Sequence, residues 1–351
     1  MGDSLRRFGW GAVRQDDRRI RHGACQTLLV TDPADTLRAP HFVRGRYFNP
    51  WGVSKASFLD VVRWKLFSRN RYDKSRPPRV PWVANDGAAL RQPAASPEVT
   101  WVGHATFALQ DGSDLLLTDP HFGPRALVPR RLQPPGVPLA AIPEHAVAVL
   151  SHNHYDHLDR FTLGHLPKGI AWRVPLGLGA FVRKFGFTDV EELDWWESCV
   201  CRGFRLTLLP AQHWSRRLSQ PDETTLWGSW LIESARLRTF FAGDSGSFHG
   251  FAEYGRLSPG LDLALLPTGA YEPRWFMKPV HMNPEEALQA FRELGAAQMV
   301  PMHWGTFDLT DEPVDESDRV LAQRLAESPP DFARRVRRLA IGESLRPGAG
   351  S

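Results

Sequence analysis

The sequence predicts an α/β fold of two mixed β-sheets flanked by helices. Three observations carry that expectation. Short apolar runs, partly β-branched, come first in hairpin-like pairs and later alternate with helical stretches. Several of these runs are followed at once by histidine or aspartate, as in layered α/β proteins that keep their chemistry at the C-terminal ends of strands. The 351 residues are 42% hydrophobic and 23% charged, which suits a large core in one big domain or two.

The elements follow in order. Residues 1–40 are arginine-rich and read as a poorly ordered N-terminal segment. Residues 41–96 read as an extension that packs on the core or faces a membrane. Within it, residues 55–67 predict a helix with Phe58, Leu59, Val62 and Leu66 on one side. Arg63, Trp64 and Lys65 share the segment, and a basic, aromatic helix can either lie on a membrane or pack on the core. Residues 76–97 contain five prolines and read as a linker into a main domain over 97–345.

Residues 98–109 then predict a strand, 115–119 its hairpin partner, and 123–143, rich in proline and arginine, a long loop. Residues 146–150 are short, apolar and partly β-branched, hence a buried strand. A helix is expected at 176–185, with strands at 205–210, 226–233, 237–242 and 261–266. Asn283-Pro284-Glu285-Glu286 is a strong helix start: asparagine at the cap, proline in the first turn, acids at the positive dipole end. That helix should run to about Leu294. A short strand at 298–301 and a helix at 316–326 complete the pattern.

Charge is uneven behind a net +4: residues 1–100 carry 18 Lys or Arg against 9 Asp or Glu, the remainder 25 against 30. The basic third suits an anionic surface such as phospholipid head groups, and equally a solvated face without a partner. Cys25, Cys199 and Cys201 make no disulfide framework and read as thiols in a reducing compartment. No run of about 18 apolar residues predicts a membrane-spanning helix, and the arginine-rich N-terminus lacks an apolar signal core. The expectation is a cytoplasmic protein, peripheral on the membrane if it meets one.

The chemistry concentrates in Ser151-His152-Asn153-His154-Tyr155-Asp156-His157-Leu158-Asp159, just past the strand at 146–150. Imidazole nitrogens and carboxylates are the ligands that zinc and similar borderline metals accept. In extended chain His152 and His154 project to one side, while the adjacent Asp156 and His157 point apart unless the chain turns. One loop can thus offer two ligands to one metal and two to a second. Three further ligands each follow an apolar run: His213, Asp244 and His303. The set divides naturally. His152, His154 and His213 could hold one ion, and Asp156, His157 and His303 a second. Asp244 could bridge the two through its two oxygens.

His152-x-His154-x-Asp156-His157 with the later His213, Asp244 and His303 resembles the metallo-β-lactamase fold superfamily. Longer motifs resemble one branch of it, the N-acylphosphatidylethanolamine-hydrolysing phospholipases D. These are Trp101-Val102-Gly103-His104-Ala105-Thr106, Leu193-Asp194-Trp195-Trp196-Glu197, Leu226-Trp227-Gly228-Ser229-Trp230, Gly269-Ala270-Tyr271-Glu272-Pro273-Arg274-Trp275-Phe276-Met277 and His303-Trp304-Gly305-Thr306-Phe307. The likeness runs from about residue 45 to 344. Gly243-Asp244-Ser245 departs from the family's usual threonine but keeps a hydroxyl.

The resemblance implies an αβ/βα sandwich, two Zn2+ per chain on the ligand set above, and a phospholipid substrate met at a membrane surface. It also implies a homodimer with a hydrophobic groove. The expected reaction is hydrolysis of N-acylphosphatidylethanolamine to N-acylethanolamine and phosphatidic acid. Paired divalent ions activate water at near-neutral pH, and an electropositive site suits an anionic phosphodiester. Asp156 and His281 are the candidate catalytic residues, with Tyr155 and His281 the candidate substrate contacts. His104 either orients a ligand or belongs to the strand. Trp195, Trp196, Trp275 and Phe276 either line a substrate channel or fill the core. The competing expectation is a hydrolase of a small soluble phosphodiester or lactone on the same site. Nucleic acid is not an expected partner, because no inserted domain lies between Asp244 and His303 to cap a groove.

Overall fold

Strand pairing in the computed structural model, which describes residues 33–53, 58–218 and 220–348, produces two large sheets and a small ribbon of Phe42–Val43 against Arg46–Tyr47. The first sheet contains β1 (Ala94–Gly103), β2 (Thr106–Gly112), β3 (Asp114–Thr118), β4 (Val147–Val149), β5 (Ala171–Pro175) and β6 (Val190–Leu193). The second contains β7 (Ser198–Cys201), β8 (Phe204–Leu209), β9 (Ser229–Glu233), β10 (Arg238–Phe241), β11 (Leu263–Pro267) and β12 (Gln298–Met302). A last strand, β13 (Ser344–Leu345), returns to the edge of the first sheet beside β1.

Both sheets are mixed, and in the same way. In the first, β13, β1, β2 and β3 pair antiparallel, and β3, β4, β5 and β6 run parallel. In the second, β7 to β10 are antiparallel, and β10, β11 and β12 parallel. Short turns close the antiparallel halves. The parallel halves need crossovers, and these carry helices.

Period-two alternation then sorts side chains into layers. Val147 and Val149 of β4 enter the core that also takes in the second sheet, while Ala148 enters a separate outer core. The outer core is closed by Leu163 of α1 (Arg160–His165) and Val182 of α2 (Gly179–Arg183). The main core is closed by Phe251 of α3 (Gly250–Leu257), Phe291 of α4 (Pro284–Leu294) and Leu321 of α5 (Glu316–Ala326). Helix, sheet, sheet and helix are thus stacked. Every ligand segment leaves from the C-terminal end of a strand: β3, β4, β8, β10 or β12.

Three expectations change. Residues 98–109 form two strands, because Gly103 (φ +125°) and His104 (φ +55°) reverse the chain between β1 and β2. Only glycine adopts the first of those conformations readily. Residues 76–97 are a packed strap and not a free linker. Val80 and Leu90 are buried, Val83 N donates to Ile341 O at 2.9 Å, and β1 already begins at Ala94.

The third concerns 55–67. Residues 54–57 and the Phe58 side chain lie outside the described residues. Phe58–Val62 is α-helical, but Arg63–Phe67 widens into a π-helical turn in which Ser68 N donates to Arg63 O at 2.9 Å. The extra residue rotates the faces. Trp64 turns inward, whereas Leu59 and Leu66, expected on one side that could face either a membrane or the core, are 75% and 72% exposed. Of the N-terminal 1–40 segment, residues 1–32 lie outside the described residues, and Pro33–Thr36 forms a helical turn followed by the buried Leu37. Among the described residues no helix is long and apolar enough to cross a membrane.

Candidate metal centre

The histidine loop is bent by hydrogen bonds before any metal is considered. At its start, Ser151 donates to the Asp119 carboxylate from its backbone N (2.6 Å) and its hydroxyl (2.5 Å). In its middle, His157 N and Leu158 N donate to His154 O at 3.2 and 2.9 Å, and this is the turn that Asp156 and His157 required. At its end, Asp159 caps α1 by accepting from Phe161 N and Thr162 N. From outside, Arg217 donates to Asn153 O and Leu158 O at 2.8 and 2.9 Å.

Two ligand clusters result. In one, His152 Nε2 is 2.9 Å from His154 Nδ1, and His213 Nε2 is 3.2 Å from it. Asp244 Oδ2 stands 3.7 Å from His152 Nε2 and 3.8 Å from His213 Nε2. In the other, His303 Nε2 is 3.2 Å from His157 Nε2 and 3.3 Å from Asp156 Oδ2. Asp244 joins this cluster too, with Oδ2 3.1 Å from His157 Nε2 and Oδ1 3.1 Å from His303 Nε2. Tetrahedral bonds of about 2.0–2.1 Å place neighbouring ligand atoms roughly 3.3 Å apart, so both clusters have the dimensions of a cage around one ion each.

The other ring nitrogens support the same reading. His157 Nδ1 lies 2.6 Å from Asp119 Oδ2, His213 Nδ1 lies 3.0 Å from Val280 O, and His152 Nδ1 lies 2.9 Å from Ser151 Oγ. Such outer partners fix ring orientation and tautomer in metal-ligating histidines. His152, His157, His213, Asp244 and His303 are buried, while His154 and Asp156 are half-buried and mark the open side.

Electrostatics divides the ligands. Burial drives the His152, His154 and His213 imidazoles below their usual range, His154 to about 4, so these rings are neutral and ready to bind. Burial would raise Asp156 and Asp244, but the facing histidines hold both well below the carboxylate range. Burial would also lower His157 and His303. The carboxylates override it, pushing His157 well up and His303 up to about 9. The buried Asp244 and the half-buried Asp156 thus stay charged against His157 and His303.

The remaining predicted residues distribute unequally. His281 reaches the cage: its Nδ1 is 4.0 Å from Asp244 Oδ2 and its ring centroid 5.2 Å from that of His213. Burial lowers it to about 4. His104 sits in the β1–β2 turn, with Nε2 3.0 Å from Asp156 Oδ2 and its ring 4.0 Å from the His303 ring. Tyr155 turns away. Its hydroxyl accepts from Leu218 N at 3.2 Å, and the Arg217 guanidinium lies 4.1 Å over its ring. Trp195 Nε1 donates to Trp227 O and Trp196 Nε1 to Leu37 O, so both are tied into packed structure.

The sequence reading missed Asp119, although its signal was present: it directly follows the apolar β3, as Asp244 follows β10 after a glycine. It also missed Arg274, which anchors the His281 loop by donating to His281 O (3.1 Å) and pairing with Glu286 (2.7 Å). A lone arginine beside a proline carries no such signal. Gly243 (φ +58°) completes the site, since a Cβ there would overlap the Ser151 Cβ.

Two mixed sheets with a histidine–carboxylate cage at their strand ends are the metallo-β-lactamase fold, and residues 115–304 match the β-lactamase superfamily domain. The chain belongs to that superfamily. It is 37% identical over 324 residues to an uncharacterized protein of Mycobacterium tuberculosis, covering 87% of this chain and 86% of that one. It is also 37% identical over 228 residues to N-acyl-phosphatidylethanolamine-hydrolyzing phospholipase D 1 of Caenorhabditis elegans, covering 60% of this chain and 64% of the worm protein. Among solved structures, a possible metal-dependent hydrolase from Veillonella parvula superposes with a TM-score of 0.59 at 16% identity, over 72% of this chain and all of that one.

Proposed function

We propose that this chain is a metal-dependent hydrolase holding two zinc ions. In this reading it hydrolyses N-acylphosphatidylethanolamine-type phospholipids to N-acylethanolamine and phosphatidic acid. The observation that carries the proposal is the sharing of Asp244 by two ligand clusters, each with tetrahedral spacing. The motif likeness and the activity named for the worm relative support the lipid substrate. Zinc, when bound, supplies Lewis acidity and lowers the pKa of water.

The protein's own groups do the rest. The cage histidines and carboxylates fix the ions. Asp119, Ser151 and the Val280 carbonyl hold the ligand rings. His281, kept neutral by burial, stands beside Asp244 and can donate one N–H to a phosphoryl oxygen. Overall, a P–O bond from water forms, the P–O bond to the ethanolamine oxygen breaks, and that alkoxide takes up a proton.

The test combines metal analysis with lipid turnover on one preparation. About two zinc per chain are expected, and His152→Ala should lose both metal and N-acylethanolamine release from vesicles. Normal release by that variant sinks the reading. A water-soluble phosphodiester and a lactone, assayed alongside, decide between a lipid and a small soluble substrate.

A further inference from the structure

The π-helical turn leaves an apolar face outward. Leu59, Leu66 and Phe67 are 75%, 72% and 79% exposed, far more than folding alone would leave on one short segment. The same stretch carries four cations, Arg63, Lys65, Arg69 and Arg71, against one acid, Asp60. Arg69 and Arg71 line a recess of about 120 Å³ together with Tyr72, Trp275, Glu272 and Asp311.

The segment is tied to the metal centre. Its inward-facing Trp64 packs 5.0 Å from Phe276, and the Arg63 guanidinium lies 5.0 Å over Trp275, itself 45% exposed. Trp275 and Phe276 belong to the short helix Arg274–Met277, and His281 of the cage follows four residues later.

We propose that residues 58–71, with Trp275, are the face on which this chain docks to an anionic phospholipid surface. Exposed leucine, phenylalanine and tryptophan enter the boundary between head groups and acyl chains, while the cations meet head-group phosphates. Charge complementarity selects this occupant: apolar side chains set among cations match a negatively charged bilayer. The choice of lipid rests on the hydrolase reading above, and docking would then bring the bilayer alongside the His281 loop.

The test uses the full chain and sedimentation with two kinds of vesicle, phosphatidylcholine alone and phosphatidylcholine mixed with phosphatidylglycerol. Wild type is expected to partition more strongly to the anionic vesicles. Leu66→Ser with Phe67→Ser should weaken that partition roughly tenfold or more, with metal content and turnover of a soluble phosphodiester unchanged. Arg69→Glu with Arg71→Glu should abolish the preference for phosphatidylglycerol. His152→Ala should bind vesicles like wild type, so a failed lipid-hydrolysis reading is told apart from failed docking. Equal sedimentation of the Leu66/Phe67 variant and wild type overturns the proposal, as does wild type that ignores both vesicles. So does a Leu66/Phe67 variant that changes oligomeric state and leaves vesicle binding intact, which would make the face a contact between copies of the chain.

Discussion

A histidine serves as a metal ligand only when something holds its ring, and here Asp119 holds most. It accepts from Ser151 twice and sits 2.6 Å from His157 Nδ1. Asp119→Asn keeps the shape but removes the charge that orients His157. Metal affinity should fall about 10–100-fold with far-UV circular dichroism unchanged, and unaltered affinity in a chelator competition would remove Asp119 from the site. His303 makes a pH prediction. Its raised value, about 9, means that in the metal-free protein its proton stabilises the fold fully below the ordinary imidazole value. That contribution is lost as pH rises through about 9. A metal must expel the same proton, so zinc affinity should climb from neutral pH and level off above about 9. Affinity independent of pH in that window would contradict it. The seven candidate ligands could be picked out because four share one loop after an apolar strand and His213, Asp244 and His303 each follow an apolar run, and the fold brings them together. Tyr155 shares the loop with the candidate ligands, and its hydroxyl accepts from Leu218 N.

Elements were legible where local signals agree. Asn283-Pro284-Glu285-Glu286 forms the helix start it spells: Asn283 accepts from Glu286 N at 2.8 Å, Glu286 accepts from Asn283 N at 3.0 Å, and Gly295 (φ +64°) ends the helix. Asn283→Ala should cost about 1 kcal/mol in denaturant unfolding. Because Glu286 also grips Arg274 beside the His281 loop, the substrate KM should rise as well. Unchanged stability would show that the cap is redundant. Two elements were not legible. The β1–β2 reversal hides in a run rich in β-branched and aromatic residues, where positive φ at Gly103 and His104 interrupts a continuous strand pattern without a proline or a polar cluster to mark it. The turn at Arg63–Phe67 breaks the 3.6-residue period that any helical reading assumes.

Across the whole molecule, the cage joins segments from both sheets, with Asp119 and the histidine loop on the first and His213, Asp244 and His303 on the second. A metal held by this cage would bind the assembled sandwich and not its parts. Stripping bound metal with a chelator should lower the melting temperature by several degrees, as loss of about 4 kcal/mol of linkage at saturating metal requires. A calorimetric trace indifferent to the chelator would place the ions elsewhere. The two-sheet architecture followed from counting strands and helices in order, but the matching of strand ends across the sandwich is a long-range fact that no local pattern encodes.

Gly243 turns that arrangement into a tolerance. Where it faces Ser151 there is room for a hydrogen atom and no more, so loops of different sheets meet without a spacer. A methyl group there acts as a wedge whose thickness is a sizeable fraction of a coordination bond. Gly243→Ala, crowded against the Ser151 Cβ and strained at φ +58°, is expected to lower the melting temperature and to let bound metal escape faster on dilution.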